Sequence, residues 1–293
     1  MKKRCTKKVW GLILNCLATR AVHIDVTEDY STDSVLLTLR RFIALHGRPA
    51  CIISDKGSQL LAAGEDVKEW ALRNQIQWKS VPAEGQHQNG VSDALIKSTK
   101  LSLLHVIGGN ILTFSGLQTV FYEVAALINA RPIGIVTGSD PRCPITITPN
   151  HLILGRSTPD VAIGPFDRDT NVNKRFLFIQ SLIDDWWKFW YKSVLPSLVP
   201  SYKWMQKHRN VQIGDVCLIK YAGIKRGTYR LGRVKSTEVG KDNKVRRVSL
   251  EYKNEGEKVF REVERPVQGI AVIVPIEEQS TLNPKAPVFT PNN

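Results

Sequence analysis

No two cysteines in this sequence have the close C-x2-C spacing of a zinc site. The five (Cys5, Cys16, Cys51, Cys143 and Cys217) lie 11, 35, 92 and 74 residues apart, and six histidines are as widely scattered. A C-x2-C zinc module is therefore not encoded, and the thiols read as reduced groups of an intracellular protein. Long hydrophobic runs are missing too: nothing approaches the roughly eighteen apolar residues of a membrane span. MKKRCTKKVWGLILNCLATRA imitates a secretory signal, but Asn15 interrupts its apolar run and Arg20 falls in the would-be cleavage site. ATRAVHIDV then continues at once into strand-like alternation, so two adjacent strands explain the segment better. The expectation is a protein of the nucleus or cytoplasm, not secreted and without a membrane partner.

Acidic residues are in short supply. Of 293 residues, 41 are Lys or Arg against 27 Asp or Glu, a formal charge of +14 that points to a polyanionic partner. The excess is not spread evenly. Residues 1–8 carry +5, residues 9–202 only +1, residues 203–265 carry +9 and the remainder −1. A neutral body followed by a basic module suggests an appended nucleic-acid grip, although a basic face also serves solubility. Hydrophobic residues at 42% supply a core.

Periodicity orders the body as ββαβαβ. Strands are expected over 9–17 and 21–27, then a helix capped by Ser31 or Thr32 with Val35, Leu36, Leu39, Phe42 and Ile43 at helical spacing, stopped by Gly47 and Pro49. A short apolar strand over 50–54 runs into the polar turn Asp55–Gln59; a helix over 66–74 and a strand over 76–81 follow. A Gly- and Gln-rich loop opens a long helix near Asn89, on which Asp93, Lys97 and Lys100 share one face. A helix over 117–129 leads into an irregular stretch. From Lys174 a helix carries Phe176, Ile179, Leu182, Ile183, Trp186, Trp187 and Trp190, a stripe that reads as core or interface rather than as a base-stacking platform. Beyond Trp204 the pattern is β, with strands over 215–221, 229–235, 245–252 and 258–263 that suggest a small barrel. The expected division is a core over 1–165, a helical linker over 166–205, a basic β module over 206–278 and a disordered tail over 279–293.

Asp55 closes an apolar strand, and Asp93 lies 38 residues later near a helix start. Carboxylates so placed can hold Mg2+ for phosphodiester chemistry, because the metal needs only two or three side chains. The same residues serve equally as a turn former and as a first-turn acid favoured by the helix dipole.

At these residues a family resemblance emerges. VWGLILNCLATRAVHIDVTEDYSTDSVLLTLRRFIALHGRPACIISDKGSQL resembles the integrase core of BEL/Pao-type LTR retrotransposons, and GQHQNGVSDALIKSTK looks like the loop and helix that present its final catalytic acid. INARPI, ITPNHLILGR, VQIGDVCLIK, YRLGRV and RPVQGIAVIVP are similar to later stations of the core and its C-terminal domain. The resemblance implies an α/β, RNase H-like core, a helical linker and a small SH3-like β-barrel. It also implies a DDE-type, Mg2+- or Mn2+-dependent transfer of element DNA ends into target DNA by a multimer. Asp55 then matches the second catalytic aspartate, and Asp93 stands where the family has glutamate. The strand bearing the first is expected upstream of Val9, so the chain reads as a truncated or decayed element copy, inactive as it stands, or as a gene model that begins at an internal methionine, and Asp25 is not promoted in its place. Two other readings are a host-retained, non-catalytic DNA- or chromatin-binding protein, and a working nuclease or transferase whose first aspartate lies upstream in a longer reading frame. Gln86, His87 and Asn89 fall in the loop that approaches strand ends. Lys97 and Lys100, with Lys225, Arg226, Arg230, Arg233, Lys244, Arg246 and Arg247 of the basic module, are the candidate phosphate contacts.

Overall fold

In a computed structural model, residues 6–55, 64–81, 90–135, 146–157, 174–194, 209–221, 226–240, 242–254, 257 and 259–280 are described. The expected order is present: β1 (Trp10–Asn15), β2 (Val22–Thr27), α1 (Thr32–His46), β3 (Cys51–Asp55), α2 (Gly64–Arg73), β4 (Gln77–Val81), α3 (Gly90–Ile107) and α4 (Phe114–Asn129). Ser31 caps α1 by accepting from the Ser34 amide, and Gly47 ends it at φ 84, a backbone region that suits glycine.

Contact clustering divides the chain into two compact units: Met1–Ala126 with Phe166–Trp186, and Leu127–Pro165 with Trp187–Asn293. In the first, β1 and β2 pair antiparallel, Trp10 opposite Thr27, while β3 and β4 pair parallel, Cys51 opposite Gln77. Val22, Ile24 and Val26 of β2 are buried with Leu39 of α1, Leu95 and Leu103 of α3, and Val120, Phe121 and Val124 of α4. Gly11 allows the approach of α4, since a Cβ there would stand 3.1 Å from the Phe121 ring. From α6 (Lys174–Phe189), Ile179, Leu182, Ile183 and Trp186 join this core, and the Trp186 indole N–H donates to Ser102 Oγ at 3.0 Å. Trp186, Trp187 and Trp190 of the expected stripe are all buried, whereas Phe176 at its start is 41% exposed.

The stretch expected to be irregular contains a pair of two-residue strands, β5 (Gly134–Ile135) and β6 (Thr146–Ile147), and a helix, α5 (Pro149–Leu154). Thr148 caps α5 reciprocally with His151, Pro149 occupies its first turn, and Gly155 closes it at φ 72. A π-helical turn, Trp190–Val194, follows α6.

The second unit holds one antiparallel sheet of β7 (Val216–Ile219), β8 (Leu231–Val239), β9 (Val245–Tyr252), β10 (Arg261–Pro266) and β11 (Ile270–Val274), in the order β10-β9-β8-β7-β11. β10 and β11 are its two edges, so the sheet is open where a barrel was expected. Its core gathers Cys217, Ile219, Val234, Val248, Leu250, Tyr252 and Ile270. Gly232 is required at the β7–β8 crossing: a Cβ would meet Ile219 Cδ1 at 2.8 Å and the Glu251 carbonyl at 3.1 Å. A last helix, α7 (Ile276–Ser280), leaves this sheet. Its Glu277 and the Ile276 amide bind Arg209 and Asp215, the latter fully buried.

Candidate nucleic-acid interface

Asp55 is the final residue of β3 and pairs in register with Val81, the final residue of β4. Because the two strands are parallel, both end at one edge of their ladder. Asp93 occupies the first turn of α3, twelve residues beyond Val81. The side chains of Asp55 and Asp93 lie outside the described residues, as do Gln86, His87 and Asn89 with the rest of 82–89. Among the described residues no three His, Cys, Asp or Glu side chains converge as a metal site.

Asp25 has a different occupation. It is fully buried on β2 and accepts from Arg41 Nε at 2.6 Å, the Val26 amide at 2.7 Å, the Tyr122 hydroxyl at 3.1 Å and Gln118 Nε2 at 3.3 Å. Burial opposes its ionisation, but the hydrogen bonds from Arg41, Val26 and Gln118 outweigh that and hold the carboxyl below its usual range. Tyr122 responds in the opposite sense, its phenol pushed up by burial and by the Asp25 charge. Beside this cluster His23 Nδ1 and His46 Nε2 share a proton position at 3.1 Å; burial and the His46 charge hold His23 down at about 4.

Of the basic candidates, Lys97 and Lys100 are exposed on α3. Arg230 lies 4.2 Å over the Tyr221 ring and 5.1 Å from that of Tyr252. Arg233 is half-buried and donates to Gln279; Arg246 is exposed and paired with Asp242 at 2.7 Å; Arg247 is exposed and stands opposite Glu238. Lys244 is exposed, and Lys225 lies outside the described residues. Arg226 departs from expectation: at 6% exposure it is buried rather than offered to a phosphate. Two residues that the sequence reading passed over, Tyr221 and Arg265, belong with Arg230, since Arg265 lies 5.2 Å over the same ring. Strand alternation was the signal, because Tyr221 continues the series Cys217, Ile219.

The cysteines follow the reading where they are described. Cys16, Cys51 and Cys217 are all unbridged, and burial pushes the Cys217 thiol up. No helix of the described residues is long and apolar enough to cross a membrane.

A family of unknown function (DUF5641) matches residues 174–273. No curated protein matches the chain. Among solved structures, the chain is similar to a simian T-cell lymphotropic virus intasome in complex with PP2A regulatory subunit B56 gamma, at 11% identity and a TM-score of 0.37, over 90% of this chain and 72% of the other. It is also similar to HTLV-2 integrase catalytic core domains in complex with magnesium. The trimeric form matches at 13% identity and a TM-score of 0.31, over 43% of this chain and 86% of the other. The dimeric form matches at 12% identity and a TM-score of 0.31, over 50% and 94%.

Proposed function

We propose that the chain is an integrase-type protein of BEL/Pao retrotransposon kind, a nucleic-acid-binding relative of the DDE polynucleotidyl transferases that does not itself turn over. The observation that carries this reading is the parallel β3–β4 register, which ends Asp55 and Val81 at one ladder edge, with Asp93 in the first turn of the next helix. On this reading Asp55 and Asp93 are the two carboxylates available to Mg2+ or Mn2+. In a complete site such a metal would supply activation of the nucleophile and stabilisation of the leaving oxygen. Asp55 and Asp93 would hold it, while Lys97 and Lys100, exposed on α3, contact the phosphates of element or target DNA. Absence of turnover is expected because Asp25, also on a core strand, is committed to Arg41, and aspartate at 93 reaches one methylene less than glutamate. The basic module adds a phosphate grip, and an RNase H-like core, an SH3-like module and a homo-oligomer belong to the same proposal.

The experiment is a titration of the purified chain and its Asp55→Asn variant with Mn2+, read by thermal unfolding, beside strand-transfer and duplex-binding assays. Salt-sensitive duplex binding without transfer, with Mn2+ stabilisation lost in Asp55→Asn, is expected. Efficient transfer would overturn the inactive reading, and Mn2+ stabilisation unchanged in Asp55→Asn would overturn the metal site. Duplex affinity indifferent to salt would remove the nucleic-acid assignment.

A further inference from the structure

The core face of the second unit's sheet ends in charge rather than in more apolar packing. Side chains alternate along strands, so the positions that continue its core can be followed outward. On β7 the series Cys217, Ile219 runs on to Tyr221. On β8, Val234 and Gly232 run back to Arg230, whose carbonyl accepts the Ile219 amide at 2.8 Å. On β10, Arg265 stands opposite buried Val248. β8 and β9 separate β7 from β10 in the strand order, yet side chains from these positions meet. Arg230 and Arg265 then approach one ring, Tyr221, at 4.2 and 5.2 Å, with Tyr252 on Arg230 at 5.1 Å.

Two guanidiniums on one ring are an unfavourable arrangement in the absence of an anion. Both charges lie within about one Debye length of each other. Neither forms an ion pair among the described residues: Arg265 donates to the Glu264 carbonyl, and Glu257, whose carboxylate senses Arg230, is hydrogen-bonded to Arg261 and Asn254. The ring offsets part of the repulsion through its negative face. Tyr221 remains 41% exposed, so an aromatic edge and two half-buried guanidinium planes meet the solvent together. That combination matches an unpaired nucleotide: the base stacks on the ring and guanidinium planes while the phosphate takes the positive charge. A duplex offers the phosphate but keeps its base faces stacked on one another.

We propose that Tyr221, Arg230 and Arg265 form a clamp for an unpaired nucleotide, so that the basic module prefers single-stranded or overhanging nucleic acid to a blunt duplex. The inference rests on the nucleic-acid reading above and narrows its substrate class. Fluorescence anisotropy of the full chain with a labelled oligothymidylate and with a blunt mixed-sequence duplex tests it. Tyr221→Ala should weaken oligothymidylate binding about tenfold and duplex binding less than twofold. Tyr221→Phe should bind as the wild type does. Arg265→Gln should weaken the oligothymidylate and flatten its salt dependence by roughly one phosphate contact. Tyr221→Leu, which keeps apolar bulk, covers the case in which the alanine variant does not fold, and should show the same selective loss. Equal losses on both probes, or a lowered melting temperature with both affinities unchanged, would make the ring a structural lid and overturn the clamp alone. A wild-type chain that binds neither probe would overturn the nucleic-acid reading with it.

Discussion

Breaking the Asp25–Arg41 pair from either side should have unequal consequences, and the inequality follows from burial. Asp25 is fully buried while the Arg41 side chain is 40% exposed. In Arg41→Gln the carboxylate keeps the Val26, Gln118 and Tyr122 donors but loses its counter-charge, and it cannot reach water. Leaving one member of a buried pair charged and unmatched costs about 3–5 kcal/mol. In Asp25→Asn the abandoned group is the guanidinium, which rehydrates, and one amide oxygen still accepts from Val26; a loss of about 1–2 kcal/mol is expected. Urea unfolding at neutral pH should therefore find Arg41→Gln the weaker variant by about 2–3 kcal/mol. The pH dependence separates them further. The folded carboxyl is held below its usual value, so its contribution is present above the unfolded pKa and lost as pH falls through the folded one. In Arg41→Gln burial dominates and raises the folded value, so acidification should narrow the gap to wild type. Equal losses, or Asp25→Asn the weaker variant, would refute the reasoning and reopen Asp25 as a residue with another role.

Other perturbations read other parts of the fold. Gly232→Ala drives a Cβ into Ile219 and the Glu251 carbonyl, and thermal unfolding should show a loss of about 2–3 kcal/mol, against under about 1 kcal/mol at exposed Ser236. Trp186→Phe removes the donor to Ser102 and opens a cavity in the first unit, for a loss of about 2–4 kcal/mol by urea unfolding. His23 has a depressed folded pKa, so the unfolded state binds the extra proton: stability should fall as pH drops from about 6.5 to about 4, and His23→Gln should flatten that limb in pH-dependent melting.

Much of the first unit was legible because its signals are local. The helical spacing of Leu36, Leu39 and Phe42, a cap at Ser31 or Thr32 and a stop at Gly47 bound α1 to within one residue, with Ser31 the cap observed, and the alternation of Val22, Ile24 and Val26 marks β2. α5 was passed over although Thr148, Pro149 and Gly155 bracket it, because six residues are too few for periodicity to register. β11 was passed over for a related reason: IAVIV is uniformly apolar and shows no alternation, and its place beside β7 is a non-local pairing. The role of Asp55 and Asp93 came from the family resemblance rather than from their spacing; the backbone puts Asp55 at the end of β3 and Asp93 in the first turn of α3. The burial of Arg226 and the convergence of Arg265 on Tyr221 depend on contacts between residues distant in sequence, which no short stretch encodes.

The proposed function requires that the chain hold nucleic acid through phosphate contacts. Its most direct test is duplex affinity of the full chain as a function of monovalent salt, with Lys97→Gln/Lys100→Gln alongside. If about four to six phosphates are contacted, the logarithmic slope should be about −4 to −5, and the double variant should reduce it by about 2. A slope near zero, or a double variant indistinguishable from wild type, would contradict the account.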